Sequence, residues 1–497
     1  MTPFHDTPSS APAARQRWRT AALWIGALGV AILAALRLID VAADQLVAPF
    51  DLAYETPSLR TIELVRAGIN PYSRDVFASG PFWITAYTPL YHYLVAELPA
   101  SDANPFLTGR LVSMACMLGS AALLFLANRG RVALTLLAAG AFLLLHPVVS
   151  NAAFLKNDPL GLLFSALAVI ACERATGDKR WFAAASAACV AAFFAKQYFV
   201  AAPVACALFL FLRSPARGLR FAALTAAAIG AAVLLAIAVW GEGFWFSCFV
   251  VPRNPSSLAQ FREQWAPMLQ QPVFVASAGL ALLTLIASGR AAWTRSPYPL
   301  WAAASAAVLL ATLGKIGSST NYFLELALAL LFTLVRSLRD APRAGPLALA
   351  PPAAAILLLA AGTWDWARAP RSRFAFTDPD ATRQHVAEMR AVAADIHRVT
   401  GSESPRILNL VHANAPLTGD IRLNDPWLYS ELWSAGRLDA RPLVAALERC
   451  ELDGVLAPKW LRLPQEEWPQ DVQRAVLENY HSGLDLGEAE LWIPAHR

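Results

Sequence analysis

The feature that most limits what this chain can fold into is a succession of apolar segments between Ala21 and Thr363. A bilayer-crossing helix needs roughly 17–25 residues of this kind. About eleven segments qualify, near 21–43, 107–127, 132–150, 159–175, 181–198, 200–212, 221–240, 273–289, 299–314, 322–336 and 346–363. The polar break at Lys196-Gln197 leaves open whether 181–212 is two helices or one long tilted pair. Composition agrees with the count. Hydrophobic residues are 57% and charged residues 15% of the 497 residues, with a mean hydropathy of +0.43, whereas soluble domains are about 45–50% apolar and 25% charged. The chain reads as an α-helical polytopic membrane protein.

Charge sets the expected orientation. Arginines and lysines crowd every second connection: Arg15, Arg17 and Arg19 before the first segment, then Arg129 and Arg131, then Arg174, Lys179 and Arg180, then Arg213, Arg217 and Arg220, then Arg290 and Arg295, then Arg336, Arg339 and Arg343. Short cytoplasmic loops carry this excess. The N-terminal tail (1–20) is therefore expected in the cytoplasm, with the first helix retained rather than cleaved. An odd number of spans leaves the C-terminal region outside. The modest net charge of +5 is accounted for by these anchors and gives no reason to expect nucleic acid as a partner. Six scattered cysteines without a CxxC pair indicate neither a metal knuckle nor a disulfide framework.

The connections on the other face are unlike these. The first outer loop, 44–106, is far longer than a turn between spans requires. It carries Asp51, Glu55, Glu63, Arg66, Arg74, Asp75 and His92 together with an aromatic run, Tyr87 to Tyr93. It reads either as an active-site loop or as a folded cap. Asp51 and Glu55, four residues apart, share a face if a helix starts there. A carboxylate at the membrane edge can serve as general base for a hydroxyl, and an acid there can equally cap a helix. Three short outer turns each supply a lysine, Lys156, Lys196 and Lys315. Ionisable groups at the membrane boundary are costly and point to function, and lysines gathered on this face fit an anionic ligand such as a phosphate. Asp158, before Pro159, is expected to cap the next helix; it could also orient an acceptor or a metal. Glu325 lies about one turn inside the tenth segment and is expected to pair with a lysine or arginine. His92 has no histidine or cysteine partner at ligand spacing, so no metal or cofactor is expected.

From Trp364 onward long apolar runs stop. Residues 378–400 read as an amphipathic helix, 405–414 as a strand, 423–436 as a turn into a helix, 440–458 as a helix followed by a strand near 454–456, and ELWIPA near the end as a further strand. Strands alternating with helices suggest a small α/β domain over 364–497, outside the membrane. It shows neither a Gly-rich phosphate loop nor a nucleophile elbow, and is read as accessory to the membrane core at 21–363.

The order of FDLAYE, AGINPY, YTPLYHYL, GRLVS, KNDPLGLL, AKQYFVAAP and GSSTNYFLELALAL resembles the GT-C superfamily of integral membrane glycosyltransferases, in particular bacterial members related to the dolichyl-phosphate-mannose protein mannosyltransferases. The likeness covers roughly 15–340. It implies a GT-C core in the inner membrane, a polyprenyl-phosphate-linked sugar donor and transfer on the extracytoplasmic face. It maps the first-loop catalytic acid onto Asp51, with Glu55 competing, and the second outer-loop acid onto Asp158. Many members carry two adjacent acids in that loop, whereas here the two are separated. With the donor come Lys156, Lys196, Lys315 and Arg110 beside the leaving phosphate. Tyr54, Tyr87, His92, Gln197, Asn321, Tyr322 and Glu325 are the further candidates for substrate contact. The reaction would be an inverting transfer to a hydroxyl of a glycan, lipid or protein acceptor. The competing readings are a transporter or flippase of a lipid-linked sugar, and a membrane scaffold with an outer binding domain. Short inner loops and the absence of an obvious inverted repeat weigh against the first, and the large outer loop with its lysines against the second.

Overall fold

The computed structural model describes residues 11–52, 54–128, 130–175, 178–340, 346–368, 379–411, 420–459, 468–487 and 489–495. Arg129, Arg343 and the far end of the strand expected at 405–414 lie outside them. Every apolar segment is helical. In chain order the helices are α1 (Ala11–Gln45), α2 (Thr56–Arg66), α3 (Leu90–Ala96), α4 (Leu107–Ala127), α5 (Val132–Leu144), α6 (His146–Asn151), α7 (Asp158–Arg174), α8 (Lys179–Ala195), α9 (Ala201–Arg213), α10 (Pro215–Trp240) and α11 (Glu242–Trp245). They continue as α12 (Leu258–Leu269), α13 (Pro272–Ser288), α14 (Arg290–Arg295), α15 (Tyr298–Thr312), α16 (Phe323–Asp340) and α17 (Ala350–Arg368). The break at 196–200 separates α8 from α9, so 181–212 is two helices. Proline in the first turn of α7, α10 and α13 uses a position whose N–H has no helical partner.

By length and composition four helices can cross a membrane singly: Gln16–Ala43, Leu107–Ala127, Pro215–Trp240 and Thr320–Asp340. A fifth candidate, α12 with α13, is bent by 89° at its break. The remaining apolar helices are shorter. The helix α16 is the central post, with 78% of its apolar window buried, packed against α13 and α15. By contrast α10 is a peripheral helix that buries 11% and turns Leu234, Leu235 and Val239 outward. Apolar side chains facing outward along α1, α10 and α13 have no water-soluble rationale, and make this a multi-pass membrane protein. Alanine-rich faces let α7 and α8 approach closely.

The two ends of the bundle carry different chemistry. At one end Arg336 pairs with Glu173 at 2.8 Å, Tyr298 donates to Glu173, and Arg213 donates to the carbonyls of Thr294 and Arg295. At the other end lie the first loop, the turns at 155–158 and 196–200, and the turn at 313–322.

After α17 come α18 (Pro379–Thr400), α19 (Pro426–Ser434), α20 (Arg441–Glu448) and α21 (Gln470–Asn479). They flank a five-stranded sheet of β1 (Arg406–Asn409), β2 (Asp420–Arg422), β3 (Gly454–Pro458), β4 (Tyr480–Asp485) and β5 (Ala489–Pro494), in the order β2-β1-β3-β5-β4. The pairs β1–β2 and β1–β3 are parallel, and β5 is antiparallel to both its neighbours. Ile407, Ile421, Leu456 and Leu491 pack with Ile396 of α18 on one face. On the other, Leu408, Val455, Ala457 and Trp492 share a core with α19–α21 and with Phe77, Phe82 and Ile84 of the first loop. The sheet thus does not close its own core; the loop completes it.

One buried ion pair holds the root of that loop. Arg110, near the start of α4, and Glu55, just before α2, are both fully buried. All five guanidinium N–H groups are used. Nε donates to Glu55 Oε1 at 2.8 Å and Nη2 to Glu55 Oε2, while the carbonyls of Gln45, Ala48 and Phe50 take the rest. Glu55 also accepts from Leu155 N at 2.7 Å and Leu52 N at 3.1 Å. The end of α1, the loop, α4 and the turn before α7 therefore meet at one point. Gly109 allows this, since a Cβ there would stand 2.4 Å from Leu155 Cγ. Removing one partner of such a pair strands the other charge and costs about 3–5 kcal/mol. Arg110→Met should accordingly lower the thermal midpoint of the detergent-solubilised protein sharply, and Arg110→Met with Glu55→Leu should recover part of the loss. An unshifted midpoint in the single variant would contradict this role.

Candidate active site

Asp51 sits at the mouth of α2. Its Oδ1 accepts from Glu55 N at 2.9 Å; its Oδ2 accepts from Thr56 N at 2.8 Å and Thr56 Oγ1 at 2.6 Å. These donors belong to the unsatisfied first turn of the helix, so the carboxylate is held in one orientation while remaining half-buried. Tyr54, between the two acids, is 58% exposed and adopts a left-handed backbone conformation, φ 56°. Its hydroxyl is pushed up by burial, then by Asp425 and Asp51.

The second centre joins three turns. Lys196 Nζ, at the end of α8, lies 2.8 and 3.0 Å from the two oxygens of Asp158 at the start of α7. Asn321 Nδ2 donates to Asp158 Oδ1 at 3.0 Å. Asn157 Nδ2 donates to the Ala195 carbonyl and holds the two turns together. The ammonium stands over the rings of Tyr87 (4.9 Å) and Tyr322 (5.5 Å), a cation–π setting. Burial pulls Lys196 down, but Asp158, with Tyr87 and Tyr322, outweighs it and holds the ammonium above the usual lysine value. Two of its three N–H donors go to Asp158; no acceptor for the third is found among the described residues.

Lys156 joins the two centres. Its Nζ lies 5.2 Å over Phe154. Burial pushes it down, while Asp158, Glu55 and Asp51 favour the charged form and Lys196 opposes it. No carboxylate lies within ion-pair distance of it among the described residues. Lys315 lies further along the same face, pushed down by burial and by the like charges of Lys196 and Arg437. This end of the bundle thus brings together Asp51, Tyr54, Tyr87, Lys156, Asp158, Lys196, Lys315, Asn321 and Tyr322.

Five candidates stand apart from this cluster. Arg110 and Glu55 are consumed by each other and by backbone groups, which leaves neither a donor for a phosphate nor a lone pair for a hydroxyl. Gln197 spends its amide on the carbonyls of Ala86 (3.0 Å) and Cys248 (2.9 Å), bracing the loop against the 246–250 turn. His92 is fully buried at 1% exposure, edge-on to Tyr91, and burial pushes its imidazole down to about 3, so it is neutral. Glu325 is buried in α16, and its partner is the Trp301 indole at 2.8 Å, not the lysine or arginine expected. A tryptophan donor satisfies one carboxyl oxygen without a second charge inside the bundle.

One residue absent from the sequence candidates belongs to this face. Asp425 falls in the stretch 423–436 that reads as a turn into a helix; it caps α19, its Oδ1 accepting from Leu428 N at 3.0 Å. Its carboxyl also lies within the electrostatic reach of Asp51, Tyr54 and Tyr87. Burial, reinforced by Asp51 and opposed by the Leu428 amide, pushes it up to about 6.

No family model and no curated protein matches the chain. Solved structures do. Crystal structures of ArnT from Cupriavidus metallidurans, one bound to undecaprenyl phosphate and one in the apo state, superpose with a TM-score of 0.57 each, at 12% and 11% identity. In both cases 93% of this chain and 97% of the other are covered. The match takes in nearly the whole length of both, so the chain shares the fold of those structures.

Proposed function

We propose that the protein is a membrane glycosyltransferase that moves a sugar from a polyprenyl-phosphate donor to an acceptor hydroxyl on the extracytoplasmic face. The observation that carries this is the outer-face cluster: an oriented, half-buried carboxylate at Asp51 beside lysines at Lys156, Lys196 and Lys315. A fold shared with a protein bound to undecaprenyl phosphate supports the donor class. The N-terminus is taken as cytoplasmic, and the first loop and C-terminal sheet as outside the inner membrane, from the arginine pattern of the connections.

The geometry favours this chemistry. Asp51 takes the proton of the acceptor hydroxyl as that oxygen attacks the anomeric carbon. The bond from that carbon to the phosphate oxygen breaks, its electron pair leaves with the polyprenyl phosphate, and configuration inverts. Lys156, Lys315 and the remaining N–H of Lys196 meet the charge that develops on the phosphate. Asp158 and Asn321 hold Lys196 in place for that purpose. Glu55 is rejected as base because Arg110, Leu52 and Leu155 occupy both its oxygens. Arg110, for the same reason, shapes the site from below.

General bases contribute about 10²–10⁴-fold. Asp51→Asn, assayed in membranes with labelled polyprenyl-phosphate sugars, should lose transfer by that order while still binding donor. Wild-type rates in that variant would remove Asp51 from the chemistry, and labelled lipid crossing the bilayer without transfer would favour a flippase. Lys196→Met should reduce the affinity for undecaprenyl phosphate about tenfold, the size of one charge-assisted hydrogen bond. Unaltered binding of the bare lipid phosphate would place the phosphate elsewhere.

A further inference from the structure

The C-terminal sheet is tied to the first loop by a seam of hydrogen bonds, and that seam ends at the active-site face. Residues 421–424 run beside 81–84. Trp83 Nε1 donates to the Ile421 carbonyl at 2.7 Å, Leu423 N to the Pro81 carbonyl at 2.9 Å, and Asn424 N to the Phe82 carbonyl at 3.2 Å. The Asn424 side chain closes the seam: its Oδ1 accepts from Ile84 N at 3.0 Å and its Nδ2 donates to the Ile84 carbonyl at 3.1 Å. Tyr429 donates to the Phe77 carbonyl at 2.7 Å. Two residues beyond Asp425, the Trp427 ring rests on Gly317, where a Cβ would stand 2.7 Å from Cη2. Asp425 is thereby carried between the loop strand leading to Tyr87 and the turn that bears Lys315 and Asn321.

The capping bond uses one oxygen of Asp425. Among the described residues no donor reaches the other, Oδ2. The groups within its electrostatic reach are Asp51, Tyr54 and Tyr87, and Tyr87 in turn covers the Lys196 ammonium. Asp425 therefore lies on the face that holds the carboxylate assigned to the acceptor and, under Tyr87, the lysine assigned to the phosphate. In a transfer between those two, the group that occupies the space between them is the sugar.

We propose that Asp425 is a sugar-contacting residue supplied by the C-terminal sheet, its Oδ2 hydrogen-bonding a ring hydroxyl of the sugar carried by the lipid phosphate, so that this region sets sugar specificity. This rests on the glycosyltransferase reading above. At neutral pH and above the oxygen accepts from the hydroxyl; below about pH 6 the neutral acid can donate to it, so the contact survives across that range.

The test separates the sugar from the lipid. Purified full-length protein is titrated with undecaprenyl phosphate alone and with undecaprenyl-phosphate glucose, mannose and arabinose, reading affinity by thermal shift. Asp425→Ser keeps a good helix cap but withdraws the second oxygen; Asp425→Asn keeps the cap and a polar atom at Oδ2. For wild type, at least one sugar should raise affinity above that of the bare lipid. Asp425→Ser should lose about tenfold of that gain, the size of one hydrogen bond, with bare-lipid affinity unchanged, and Asp425→Asn should stay nearer to wild type. A Ser variant that keeps the whole gain, or one that loses bare-lipid affinity equally, overturns the sugar contact. So does a wild type that gains from none of the three sugars. A wild type that binds none of the lipids overturns the donor reading itself and takes this inference with it.

Discussion

A guanidinium sealed from water must find an oxygen for each of its five N–H groups, and Arg110 finds two on Glu55 and three on the chain leaving α1. The end of the protein that carries the first loop depends on that requirement being met. The loop cannot detach from the bundle without leaving a charge in an apolar interior, and the bundle cannot shift at α4 without breaking the same bonds. The consequence is positional. Glu55 N and Thr56 N, the donors that orient Asp51, belong to the segment that Glu55 anchors. The half-buried carboxylate proposed as base is thus aimed by the fully buried one four residues away.

The second pair, Asp158 with Lys196, works differently. It is buried, but it lies between turns and under tyrosine rings, and Lys196 has an N–H to spare. A pair that is nearly satisfied can accept a third, anionic member without rebuilding. The rings over it are Tyr87 and Tyr322, and the first loop that bears Tyr87 completes the core of the C-terminal sheet through Phe77, Phe82 and Ile84. Membrane helices, loop and sheet therefore meet at one end of the bundle.

The helices were legible because crossing a bilayer demands length and apolarity together, and both are written locally. The lysines of the turns at 155–158, 196–200 and 313–322 stood out for the converse reason: charges at the edge of apolar segments are costly. Partnership was not legible. Nothing near Glu55 in sequence announces Arg110, fifty-five residues on, and so the reading kept Glu55 as a possible base and Arg110 as a phosphate ligand. Glu325 was expected to pair with a cation, yet the partner of its Oε1 is the Trp301 indole. Asp425 was hidden inside a stretch that reads only as a turn into a helix, and its nearness to Asp51 is set by the fold. The strands β2 and β4 escaped for lack of pattern. The first is three residues long, and the second, an edge strand reading YHSGLD, buries little beyond Tyr480.

The central claim is that the outer-face lysines receive a lipid phosphate, and locating that phosphate tests it most directly. A cryo-EM map of the detergent-solubilised protein with undecaprenyl phosphate should show the headgroup bounded by Lys156, Lys196 and Lys315, with the prenyl chain leaving between helices. A headgroup at the opposite end of the bundle, beside Arg295 and Arg336, would contradict the account.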